Sequence, residues 1–232
     1  MVAHQTNGSD MADRRETVGI QQAAVTATLG LAVAAWVVAV RHMQGMGMNM
    51  GVATRLGSFT FFLGVWLAMM AAMMLPGAVP AVANRARTAG NVRAVLLFLG
   101  SYLTVWTLVG VAVFVLYRPH GSLAAGAVVI AAGVYEFTPQ KQHSRRRCRE
   151  SVRSGFQFGI YCVGSSIGLM LMLVALSIMS VPWMSAIAVL MVAQKLLPAR
   201  AAIDVPLGLA IVGLGALIVL APSAVPGLTP SM

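Results

Sequence analysis

Apolar and polar stretches alternate along the chain at a spacing that suits membrane spans. Runs of about 20 mainly apolar residues, the length that crosses a hydrocarbon core, recur from residue 20 onward. Seven helices are expected, over 21–40, 59–82, 94–117, 122–139, 156–179, 183–199 and 205–222. The fourth and sixth runs are short and end in polar residues. Pro182 and Trp183 leave little chain between the fifth and sixth, which predicts a helical hairpin. The expected fold is all-α, a polytopic transmembrane bundle of about seven helices. It forms a single domain over 20–223, with a polar tail at 1–19 and a short tail at 224–232.

Composition agrees with this pattern. The chain is 59% hydrophobic and 9% charged, with a mean hydropathy of +0.83. A soluble domain carries roughly 25% charged residues. Residues 1–19 are polar and include acids as well as Arg14 and Arg15, and the first apolar run is long. It therefore reads as a span and not as a cleavable signal.

The net charge of +10 would suit a nucleic-acid partner. Here the basic residues sit in short segments between apolar runs, the arrangement of topology signals, so no nucleic acid is expected. With the N-terminus inside, thirteen Lys and Arg fall on the inner side. Three, Arg41, Arg55 and Arg118, fall outside. The N-terminus is therefore expected in the cytoplasm and the C-terminus outside. The basic loop Lys141–Arg153 then faces the cytoplasm as a topology anchor, with anionic lipid headgroups as partners.

Two methionine pairs stand out in the second run, Met69-Met70 and Met73-Met74. On a helix, Met69/Met73 and Met70/Met74 are i,i+4 neighbours. The four thioethers cover an arc of roughly 140°. Thioethers are soft, uncharged ligands that suit Cu(I). Pro76 removes an amide and frees the carbonyl of Ala72 inside this cluster. A second group, His42, Met43, Met46, Met48 and Met50, lies in the expected outer loop before this helix. Methionine also fills irregular packing gaps. That reading serves for the helix cluster; for the outer loop the alternatives are soft-metal capture and packing on the membrane surface or a protein.

Other polar positions are few. Glu136, after Tyr135, is the acid deepest in the spanning regions, and such a residue faces the bundle interior or water. Gln194 and Lys195 lie in the sixth helix. Lys195 is about 18 Å along it and Glu136 about 21 Å along the fourth, so a Glu136–Lys195 pair is expected at shared depth. The alternatives are that Glu136 pairs with a local base and that Lys195 snorkels to headgroups.

Of the two cysteines, Cys148 lies in the basic loop and Cys162 in a span. They form neither a disulfide framework nor a zinc spacing. Cys162 is a soft-metal candidate on a stripe with Gly155, Gly159, Ser166 and Met170. Gly155/Gly159 and Gly164/Gly168 are small-xxx-small pairs that favour close helix contact. There is no nucleophile elbow, HExxH or P-loop, so an enzyme is not expected.

The chain resembles a bacterial family of predicted metal-binding integral membrane proteins, a domain of unknown function. The likeness is carried by Trp66–Pro80, Ala132–Arg149, Tyr161–Gly168, Trp183-Met184 and Gln194-Lys195. The resemblance implies a multi-pass protein of the bacterial inner membrane with a metal site. Three positions depart from the family pattern. Cys-Leu-Gly-Cys-Cys becomes Cys162-Val-Gly-Ser165-Ser166. Tyr-Gln becomes Tyr135-Glu136, and Glu-Lys becomes Gln194-Lys195. The acid has moved between the fourth and sixth helices, which implies that these helices touch.

Two functions compete. One is the binding or movement of a soft metal, Cu(I), through Met69, Met70, Met73, Met74 and Cys162, loaded from the outer loop. The other is a structural or assembly subunit with a protein partner in the membrane and no metal role. A proton-coupled transporter built on Glu136 lacks the inverted repeat of such folds.

Overall fold

The computed structural model describes residues 6–45, 58–116, 121–150, 154–175, 181–196 and 201–221. Every described element is an α-helix: α1 (Thr6–Gly45), α2 (Phe59–Ala89), α3 (Val92–Leu116), α4 (Ser122–Glu136), α5 (Pro139–Arg149), α6 (Gly155–Ala175), α7 (Val181–Leu196) and α8 (Ala201–Leu220). All seven expected apolar helices are present. The eighth element, α5, falls where a basic loop was expected.

The reason lies in its first two residues. Thr138 caps the helix, its side-chain oxygen accepting from the Lys141 amide, and Pro139 occupies the first turn. A hydroxyl cap followed by proline is a strong helix start. α4 ends at Glu136, and α5 leaves it at a bend of 66°.

Among the described residues, four segments are long and apolar enough to cross a membrane: Arg14–Arg41, Phe59–Ala89, Val92–Leu116 and Gly155–Ala175. The bent α4–α5 pair makes a fifth candidate. The remaining apolar helices are shorter within the described residues. α4 has 15 residues and α7 has 16. At 1.5 Å per residue each reaches only about 24 Å, short of a core of about 30 Å. α1 begins at Thr6, inside the expected polar tail, and runs on through His42 and Met43, which were expected in a loop. Met46, Met48 and Met50 lie outside the described residues.

α2 and α6 form the centre. In each, 61% of the most apolar window is buried, against 22% in α1 and α3. α1, α3 and α7 pack on α2, while α3, α4, α5 and α7 pack on α6. α8 lies on α4 at the edge. Glycine sets the spacing around α6. A Cβ at Gly159 would stand 2.9 Å from the Val105 side chain, and one at Gly168 would stand 3.2 Å from the Ala132 carbonyl. The two small-residue pairs thus seat α6 against α3 on one face and against α4 and α5 on the other. The outward faces carry large apolar side chains, including Leu96, Leu97, Val115 and Leu209.

Candidate metal centre

α5 turns one face inward. Lys141, Ser144, Arg145 and Cys148 recur at helical spacing; the first three are buried and Cys148 is half-buried. The opposite face, with Arg146 and Arg147, is exposed. A helix of this composition therefore sends two cations and a thiol into the bundle. The expected topology anchor is, on this face, part of the interior.

Both of those cations meet neighbouring helices, Lys141 reaching α4 and α7 and Arg145 reaching α7. Lys141 Nζ is ion-paired with Glu136 Oε2. Lys141 also donates to Gln194 Oε1 at 3.2 Å, and Gln194 Nε2 donates to Glu136 Oε2 at 3.1 Å. Arg145 Nη2 donates at 2.7 Å to the main-chain oxygen of Gln194, in the last turn of α7, where carbonyls lack helical partners. Glu136 therefore faces the interior and touches helix α7, as the exchange of acid between the two motifs implied. The expected Glu136–Lys195 pair does not form. The bend after Glu136 brings Lys141 to the carboxylate first, which is the local-base alternative. Tyr135 donates from its hydroxyl to the Gly164 carbonyl at 2.6 Å, tying α4 to α6.

Lys195 points elsewhere. Its Nζ donates to Cys162 Sγ at 2.8 Å and to Met74 Sδ at 3.5 Å. Gly77 makes this reach possible, since a Cβ there would collide with the Lys195 stem. The Tyr102 hydroxyl is hydrogen-bonded to the same Cys162 sulfur at 3.2 Å. Cys148, from α5, lies close enough to Cys162 for the two thiols to interact electrostatically. Its own thiol also faces the Phe158 carbonyl at 3.9 Å. Both thiols are free. Two thiols, a thioether and an ammonium thus converge from four helices, α5, α6, α2 and α7.

A cavity of about 360 Å³ opens beside them. Cys148, Ser165, Ser166, Gln194 and Lys195 line it, with Asn84, Arg87 and Glu150 among its charged and polar walls. Ser165 and Ser166 stand where the resembled family places cysteines. Ser165 Oγ donates to the Cys162 carbonyl at 2.8 Å.

The four helix methionines are fully buried, but they do not share one space. Met74 joins the sulfur group. Met73 lines a different, apolar cleft between α1, α2 and α7, together with Trp36, Pro76 and Ser185. The wide arc seen in the sequence explains the split, because it faces two neighbours at once.

Among the described residues no three His, Cys, Asp or Glu side chains gather as a metal cluster. The donor set here is sulfur, two thiols and a thioether, which is the chemistry of Cu(I) and not of calcium or magnesium. A family model described as PpoB2, copper chaperone, matches residues 63–218.

The chain belongs to this copper chaperone family.

The family match takes in α2 to α8 and every residue of the sulfur group, and leaves out α1 and the segment from His42 to Met50. The searches of curated proteins and of solved structures returned no match. Sequence reasoning singled out Cys162, Met74 and Lys195 but missed Cys148 and Tyr102. The signal for Cys148 was its spacing of seven from Lys141, which places both on one helix face.

Proposed function

We propose that this protein is embedded in the bacterial inner membrane and carries Cu(I) as cargo between Cys148, Cys162 and Met74. The observation that supports this most is the meeting of two free thiols from different helices beside a thioether and a cavity. Soft sulfur selects Cu(I) over hard cations. The Lys195 ammonium offsets the negative charge of a copper-bound thiolate. Tyr102 fixes the sulfur's position from the other side, the role that outer hydrogen bonds play around metal ligands. The protein binds and hands on its ion without catalysis, to a protein partner in the same membrane.

The membrane reading is supported by the four long apolar helices and their outward Leu and Val side chains. The charge bias of the sequence places the N-terminus in the cytoplasm. Met69, Met70 and Met73 extend thioethers from the centre along α2. In this reading the segment from His42 to Met50 exchanges copper with them on the outer side.

Elemental analysis of detergent-purified protein tests the proposal. After anaerobic loading with Cu(I) and gel filtration, one copper per chain is expected. Protein that emerges without copper contradicts it. Replacement of all four helix methionines by leucine keeps their volume and should weaken binding. An unchanged affinity would reduce the helix cluster to packing.

A further inference from the structure

The cavity beside the sulfur centre has the wrong sign for a naked cation. Its walls hold Arg87, Arg145 and Lys195 against one carboxylate, Glu150. That carboxylate is itself paired with Arg147 at 3.1 Å. Arg87 stands exposed, its guanidinium donating to Asn84 Oδ1 at 3.3 Å. A positive ion entering alone meets a positive wall, and like charge lowers the local concentration of a cation as surely as opposite charge raises it. The size is also wrong for an ion. About 360 Å³ lies in the range of small-molecule sites, roughly 300–1,000 Å³, and is too small for a folded carrier domain.

An anionic complex fits both facts. We propose that copper passes through this cavity as the Cu(I) complex of a small thiol that carries carboxylates. The inference rests on the copper reading above and adds the chemical form of the cargo. Arg87, exposed at the cavity's edge, meets the carboxylates, and Ser166 offers a neutral hydrogen bond to the rest of the carrier. The transfer is a ligand exchange. Two bonds from copper to carrier sulfur break, and two to Cys148 and Cys162 form. The protons of the two cysteine thiols leave on the departing carrier thiolates. Copper stays Cu(I) throughout, so no oxidant or reductant is consumed. Asn84 and Arg87 sit near the end of α2 that the charge bias assigns to the cytoplasm, where thiols are kept reduced.

The test is a comparison of donors. Full-length protein in detergent is mixed anaerobically with Cu(I) held by glutathione, which bears carboxylates, or by cysteamine, which bears an amine. Copper transferred is followed over time. At low salt, loading from glutathione should be about tenfold faster or more, the scale of electrostatic focusing in a cleft, and salt should shrink the gap. Arg87→Glu should narrow or invert the ranking. Equal rates from the two donors, or an unchanged ranking in Arg87→Glu, overturn the proposal. The final copper content reads the centre separately. If neither donor loads copper, the copper reading itself fails, and that result differs from loading without donor preference.

Discussion

Gln194 and Lys195 are neighbours on α7, yet they serve different centres. Gln194 joins Glu136, Lys141 and Arg145. Lys195 joins Cys162 and Met74. Both centres draw on the inward face of α5, Lys141 and Arg145 for one and Cys148 for the other. The first is built of oxygen and nitrogen. Its carboxylate has a matched ammonium and an amide, although Glu136 Oε1 accepts no hydrogen bond among the described residues. The second is built of sulfur, holds two free thiols and opens on a cavity. A buried ion pair fixes how helices sit, because separating its members leaves a bare charge in a low dielectric. A soft, unsaturated group costs less to leave open and keeps its donors for a ligand. In the proposed reading the hard group holds α4, α5 and α7 in register and the soft group, at the next residues along, serves exchange.

The comparison breaks most severely at Lys141. Lys141→Met leaves the Glu136 carboxylate buried without its cation, a loss of about 3–5 kcal/mol. It should appear as a large fall in the thermal midpoint in detergent. Adding Glu136→Gln should restore most of that midpoint, since a missing pair is tolerated better than half a pair.

The sulfur group should respond in the opposite way. Cys162→Ser should keep the parent's thermal midpoint within a few degrees. Its Cu(I) affinity in competition with a chelator should fall by more than the roughly 10–100-fold that a supporting group costs. A large loss of stability with unchanged copper affinity would place Cys162 with the hard group. Lys195→Leu removes the charge beside the Cys162 sulfur without adding a donor, and a fall in affinity of roughly 10–100-fold is expected.

The smallest effect sharpens the site's outline. Ser165 lines the same cavity as Cys148, so Ser165→Cys adds a thiol to that wall. Copper should bind up to roughly tenfold tighter, about 1.4 kcal/mol. Weaker binding would show that residue 165 cannot reach the ion.

Much of the fold was legible because hydrophobic runs report helices directly. The contact of α4 with α7 was legible too, from an acid exchanged between Tyr135-Glu136 and Gln194-Lys195. What hid was α5. Residues 141–149 are so rich in cations that they read as a solvated loop, and the helix start at Thr138-Pro139 went unread. Once α5 is a helix, Cys148 moves from a loop to the bundle interior and the sulfur pair appears. The partner of Lys195 was hidden for a different reason. Depth along parallel axes ranks Glu136 as its neighbour, but the 66° bend after α4 supplies Glu136 with Lys141 instead. The four methionines were visible as a cluster in one dimension, while the neighbours that divide Met73 from Met74 exist only in three.

X-ray absorption at the copper edge of the Cu(I)-loaded protein measures the central claim most directly, because it counts the atoms bound to the metal. The account predicts a first shell of sulfur alone, which loses one sulfur in Cys148→Ser. A shell of nitrogen or oxygen, or a sulfur count unchanged by that substitution, would contradict it.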